Sequence, residues 1–169
     1  MSKSLPVIAI LGGTGDLGTG LARCWVEAGY AVIIGSRTAE KAEAAVASMQ
    51  KVLEGRGIKS RNLTSNENLL AAEAADIAAI TIPFSHQHST LEHVRPGLKG
   101  KILIDATVPL VPPRVARVQL PQAGSAGQIA QELLGEDVRV VSAFQNVAAH
   151  HLQNATNAGC DVLVSGNNR

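Results

Sequence analysis

Residues Val7 to Gly20 read VIAILGGTGDLGTG, and no other stretch limits the fold of this chain so sharply. Val7-Ile8-Ala9-Ile10-Leu11 is an unbroken apolar run of strand length, the pattern of a strand buried on both faces. It runs into Gly12-Gly13-Thr14-Gly15-Asp16-Leu17-Gly18, and a helical pattern begins inside that turn. Gly13, Gly15 and Gly18 have the spacing that binds a dinucleotide pyrophosphate. The first glycine makes the tight turn, the second lets phosphate approach the backbone, and the third lets helix pack on strand. The free N–H groups and the positive end of the new helix then face the anion. A glycine-rich turn without a ligand would show the same spacing. Its place directly after a buried N-terminal strand, with a second strand following on schedule, favours nucleotide binding.

The rest of the chain alternates strand and helix patterns. The first helix is predicted from Asp16 to about Ala28, with Leu17, Leu21, Cys24, Trp25 and Ala28 on one face and Gly29 closing it. Ala31 to Gly35 reads as the second strand, Ala39 to about Leu53 as an alanine-rich helix, and Ile58 to Thr64 as a short edge strand. Asn66 to Ala74 is predicted helical, Asp76 to Ile82 a buried strand, His86 to Val94 a short helix and Lys101 to Ala106 a strand. A long connection, Thr107 to Ala123, carries Pro109, Pro112, Pro113 and Pro121; such a connection is usually functional. A helix capped by Ser125, a strand from Val138 to Ala143, the segment Phe144 to Leu152 and a last strand from Asp161 to Val164 complete the pattern. The alternation predicts an α/β fold, a Rossmann-type doubly wound parallel sheet in three α/β/α layers, as a single domain over residues 1–169.

Composition narrows the function. With 169 residues the chain is of single-domain length, and with 46% apolar, 17% charged and 2% aromatic residues its core must be aliphatic. A net charge of +1 argues against an extended nucleic-acid surface. No apolar run reaches membrane-spanning length and Met1 to Leu5 is too short and polar for a signal peptide, so a cytoplasmic enzyme is expected. Cys24 and Cys160 lie far apart, and His86, His88 and His93 suit no common zinc spacing, so no metal is expected. Neither a Ser-His-Asp set nor a GxSxG elbow is visible, which argues against hydrolysis.

The end of the second strand selects between the two nicotinamide dinucleotides. An acid there accepts hydrogen bonds from the ribose of NAD. This chain has Gly35-Ser36-Arg37 instead, with Lys41 one helical turn beyond. A hydroxyl, a guanidinium fork and an ammonium suit the 2′-phosphate of NADP. The residues after Ile82 and Ala143 also leave the carboxyl edge of the sheet. Pro83, Phe84 and His86 are therefore predicted to face the ligand from one side, and Gln145, Asn146 and Val147 from the other.

LGGTGDLGTGLA, IIGSRTAEKAEA, DIAAITIPFSH and VVSAFQNVAAHHL, in this order, resemble the NADPH-dependent reductases of the deazaflavin coenzyme F420 over nearly the whole chain. The resemblance implies that Thr14, Gly15, Asp16 and Leu17 hold the pyrophosphate and Ser36, Arg37 and Lys41 the 2′-phosphate. It implies that Ile82 and His86 border the cofactor, Val147 and Ala149 lie beside the nicotinamide, and Val108 and Pro109 face the deazaflavin. The implied reaction is direct hydride transfer between NADP(H) and coenzyme F420. It needs no obligatory side-chain acid or base, so no catalytic residue is named. The small-molecule redox substrate would be the main partner, and a homodimer is allowed.

Two departures stand out. Family members often have histidine where this chain has Gln145, and the family continues beyond Gly166 with further helices. The resemblance therefore presents the chain as C-terminally short, either a fragment or a shortened variant with an open second-substrate pocket. KILIDA and the segment around Phe144 are also similar to the oxidoreductase domain of membrane ferric reductases. An NADPH-dependent flavin or ferric reductase, with flavin as second substrate, is thus one alternative, and a non-catalytic NADP-sensing domain is another.

Overall fold

The computed structural model describes residues 4–110, 118–154 and 159–167. Seven strands form one sheet in the order β3-β2-β1-β4-β5-β6-β7. They are β1 (Ile8–Leu11), β2 (Val32–Ser36), β3 (Leu63–Glu67), β4 (Ile77–Ile80), β5 (Ile102–Asp105), β6 (Arg139–Ala143) and β7 (Val164–Gly166). The first six are parallel; β7 runs antiparallel to β6, with Ser142 opposite Ser165. From β1 the chain builds outward to β2 and β3, then crosses back to β4 and builds the other way. This reversal separates the carboxyl ends of β1 and β4, where the loops leave in opposite directions and a crevice forms.

Helices cover both faces. On one lie α1 (Asp16–Glu27), α2 (Ala39–Gly55) and α6 (Ala149–Asn154). On the other lie α3 (Asn68–Ala74), α4 (Gln87–Leu98) and α5 (Ala126–Leu134), with a short 3-10 turn, Phe84–His86, before α4. Alternation along β1 divides the core: Ala9 and Leu11 join one aliphatic cluster with Leu91, Val94, Leu98 and Leu103, whereas Ile10 joins the other with Leu21, Val26, Val46 and Leu53.

Local departures from the predicted pattern have physical causes. In α1 the buried face is Gly18, Gly20, Leu21, Ala22, Arg23 and Val26, whereas Leu17, Cys24 and Trp25 are half-buried. Close approach decides this. A Cβ on Gly18 would lie 2.6 Å from the Gly13 Cα, and one on Gly20 would lie 2.6 Å from the Leu152 Cβ of α6. Trp25 instead meets Phe144 edge-on, with ring centroids 6.0 Å apart. The third strand starts at Leu63 rather than Ile58, because α2 extends to Gly55 and Ile58 N–H still bonds to the Leu53 carbonyl at 2.9 Å. Pairing with β2 then makes LTSNE a strand despite its polar sequence. Helix α4 continues through Pro96 to the fully buried Leu98. The last strand is displaced to Val164–Gly166, and the helix after β6 begins only at Ala149.

Candidate functional site

The glycine turn after β1 is held by its neighbours. Gly13 N–H donates to the Gly35 carbonyl at 3.0 Å, and Gly12 N–H donates to Asn68 Oδ1 at 3.0 Å. Gly12 has φ +67°, and a Cβ there would collide with Ile82. A Cβ on Gly18 would also come within 2.8 Å of Thr81 Oγ1, so this third glycine sets how closely α1 approaches β4. Gly15 differs: nothing lies within 4 Å of a Cβ built on it. The space a phosphate needs is therefore present beside Gly15, where the unpaired N–H groups of the first turn of α1 begin.

That space belongs to a cleft of about 360 Å³ between the carboxyl ends of β1, β2 and β4. It brings together Thr14, Gly15, Ser36, Arg37, Lys41, Ile82, Pro83 and His86 of the sequence-predicted residues, but not Phe84. Ser36 is buried at the end of β2; Arg37 and Lys41 are exposed at the rim, and neither forms an ion pair among the described residues. Two cations thus stand beside a hydroxyl with no competing acid paired to them. Ile82 is half-buried against the core and closes the wall next to Gly12, while His86 N–H is fixed to the Pro83 carbonyl at 2.9 Å. Asp16 and Leu17 lie outside the lining. The Leu17 side chain packs on the core, which leaves its backbone N–H as the group able to serve an anion. Asn68 also lines the cleft and was not predicted; alone at the start of α3, it carries no sequence signal.

Val108, Pro109, Val147 and Ala149 lie outside this cleft. They sit further along the same carboxyl edge, on the segments that leave β5 and β6. Val108 is half-buried and Pro109 buried; Leu110 pairs with Val118 in an isolated bridge, so the neck of the long connection is tied. Val111, Pro112 and Pro113 lie outside the described residues. After β6 the backbone turns through Phe144 at φ +74°, unusual for a residue with a side chain. Val147 N–H returns to the Phe144 carbonyl at 3.1 Å, and its side chain packs on the same core cluster as α1.

Beneath these two segments is a polar centre of which sequence reasoning named only Gln145, as a residue facing the ligand. Asp105 at the end of β5 is fully buried. Its carboxylate accepts from Gln87 Nε2 at 2.7 Å and Thr107 N–H at 2.8 Å, and its carbonyl accepts from Gln145 Nε2 at 2.7 Å. Burial pushes the Asp105 carboxyl above its ordinary range, opposed by the bonds from Thr107 and Gln87. Burial likewise raises the Cys24 thiol, a half-buried packing group.

Elsewhere, a depression of about 580 Å³ lies between α5, β6 and β7 and is lined by Ser125, Gln128, Gln131 and Ser142. It touches none of the predicted residues, and the Gln131 amide is already bonded to Gly135, Val138 and Val140. Among the described residues no group of three His, Cys, Asp or Glu is placed to hold a metal, and no helix is long and apolar enough to cross a membrane.

The family described as NADP oxidoreductase, coenzyme F420-dependent, matches residues 7–109. The F420-dependent NADP reductase of Methanothermobacter marburgensis is 41% identical over 167 residues, covering 96% of this chain and 73% of that protein. That of Methanocaldococcus jannaschii is 40% identical over 164 residues, covering 95% and 72%. A crystal structure of a proposed F420-dependent NADP reductase from Arthrobacter sp. FB24 superposes with a TM-score of 0.75 at 24% identity, covering 97% of this chain and 75% of that one. This last likeness shows the fold.

Proposed function

Since the chain belongs to the coenzyme F420-dependent NADP oxidoreductases, we propose that it transfers a hydride between NADP(H) and the deazaflavin coenzyme F420. The observation that carries this reading is the single cleft joining the open backbone at Gly15 to Ser36, Arg37 and Lys41. It fits the phosphate half of NADP in space and in charge. Backbone N–H groups from Gly15 to Leu17 bind the pyrophosphate, and Arg37 and Lys41, with the Ser36 hydroxyl, hold the 2′-phosphate.

Ile82 and His86 carry the cofactor across the switch point. Val147 and Ala149 then support the nicotinamide, and Val108 and Pro109 offer an apolar shelf for the second ring. Bound together, the two rings supply hydride transfer between C4 of the nicotinamide and C5 of the deazaflavin. The protein holds them face to face and excludes water from between them, and no side chain has to carry a proton. The described residues act as one NADP-binding domain, since both helical layers share one sheet. A homodimer, allowed by the family resemblance, and a cytoplasmic location, expected from the sequence pattern, complete the proposal; sedimentation and cell fractionation check them.

Stopped-flow mixing of NADPH with oxidised coenzyme F420 tests the reaction. Loss of the oxidised deazaflavin absorbance on the scale of enzyme turnover is expected. Transfer to free flavin but not to F420 would replace the substrate assignment with a flavin reductase. NADPH binding with transfer to neither would reduce the protein to a sensor.

A further inference from the structure

Asp105 is difficult to explain as packing alone. A carboxyl group with no exposed surface, in an otherwise aliphatic core, is costly unless its oxygens are bonded. Here they are bonded, by Gln87 and Thr107, while the backbone carbonyl of the same residue accepts from Gln145; the three partners stand on three segments at the same edge of the sheet. Gln87 is the first residue of α4, next to the cleft residue His86; Thr107 opens the connection bearing Val108; Gln145 starts the loop bearing Val147. Gln87 Nε2 also lies 3.0 Å from both Thr107 Oγ1 and the Ala126 carbonyl at the start of α5. Thus one buried carboxylate and one buried amide join the segments leaving β4 and β5 to the start of α5, and the Asp105 backbone carbonyl ties in the segment leaving β6.

None of these four side chains lines the dinucleotide cleft. The Gln145 bond bridges 40 residues and pins a loop whose backbone already adopts an unusual φ at Phe144. A satisfied buried network of this kind has one favoured geometry, whereas apolar contacts slide. Hydride transfer demands such a geometry, because reacting atoms must be held near contact distance and a displacement of about 1 Å can cost on the order of 100-fold in rate.

Resting on the placement of the two rings given above, we propose that Asp105 and Gln87 are positioning residues for hydride transfer. The buried Asp105–Gln87 pair, with Thr107, fixes the end of β5, whose backbone carbonyl holds Gln145, and so sets the spacing between the Val108 segment and the Val147 loop. It acts on the rate through those loops and not on the binding of the NADP phosphates.

The test uses the intact protein with NADPH and oxidised F420. Asp105→Asn keeps size and the backbone carbonyl, but its amide nitrogen must face the donor Gln87 Nε2 or the donor Thr107 N–H. The single-turnover rate is expected to fall roughly 10–100-fold, with NADPH affinity within about twofold of wild type. The isotope effect with NADPH deuterated at the transferred position should rise, as hydride transfer becomes limiting. A merely structural role would lower the folded fraction and leave the isotope effect and the rate per folded site unchanged; that outcome overturns the proposal. Should Asp105→Asn not fold, Thr107→Val, which removes only the hydroxyl contact, is expected to slow transfer, with Thr107→Ser restoring most of it. Wild-type rates in both Thr107 variants would then overturn the proposal. Failure of the wild-type protein itself to reduce F420 is a separate result: it removes the functional reading and this inference with it.

Discussion

The two halves of the carboxyl edge are built on opposite principles. Around Gly15 the site is open, backbone-lined and flanked by exposed cations without ion-pair partners among the described residues. Around Asp105 it is closed, and its geometry is set by side-chain hydrogen bonds between segments distant in sequence. An anion of fixed charge needs donors and space, which a turn and a helix start supply locally. Two stacked rings need spacing, which only long-range ties can fix. The first half should therefore govern affinity and the second half rate.

The largest effect is expected from Gly15→Val. The backbone there is extended, at φ −84° and ψ 173°, and a Cβ meets nothing within 4 Å, so the fold should survive. A branched side chain would fill the space proposed for the phosphate and cost several charge-assisted hydrogen bonds, lowering NADPH affinity on the order of 100-fold or more by calorimetric titration. Unchanged affinity would remove the phosphate from this turn. Next, Arg37→Ala should weaken NADPH by about 1.5–3 kcal/mol, the range for a hydrogen bond to a charged group, while NADH binding barely changes. Equal losses for both would break the 2′-phosphate assignment.

On the proposed ring half, Val108→Asp would set an unpaired charge on the proposed apolar shelf. It should reduce kcat/KM for F420 by roughly 10-fold, about 1.4 kcal/mol, and leave NADPH affinity near wild type. Normal F420 reduction would dissociate Val108 from the second ring. The smallest effect concerns pH. Burial raises the Asp105 carboxyl, so on raising pH the unfolded chain releases this proton before the folded one does. The stability it contributes is full below about pH 4, the ordinary Asp value, and is lost as pH rises through the raised folded value. Urea midpoints of a folded Asp105→Asn protein should lack that decline; parallel pH profiles for the two proteins would contradict it.

The same contrast explains what could be read from the chain. GGTGDLG and GSRTAEK are contiguous motifs, because turn, helix start and cation rim are made by neighbouring residues, and the structure gathers Thr14, Gly15, Ser36, Arg37 and Lys41 in one cleft. The α/β alternation was legible for a similar reason, each element carrying its own periodicity. Asn68, Gln87 and Asp105 had no such signal. Asn68 reaches back 56 residues to Gly12, and Gln87 meets Asp105 across 18. Asp105 at the end of KILIDA reads simply as a polar residue closing a strand. The face of α1 was legible in part: Leu21 is buried and Leu17, Cys24 and Trp25 pack against the same cluster, whereas Ala28 is exposed. Gly18 and Gly20, which apolar periodicity ignores, are admitted by close packing against Gly13 and Leu152.

Most direct is the dependence of the single-turnover rate of F420 reduction on NADPH concentration, measured for wild type, Arg37→Ala and Asp105→Asn. Arg37→Ala should shift the half-saturating NADPH concentration upward by roughly 10–150-fold, with the limiting rate within about twofold of wild type. Asp105→Asn should lower the limiting rate by roughly 10–100-fold and leave half-saturation in place. If both substitutions moved the same parameter, the division between an affinity half and a rate half would be contradicted.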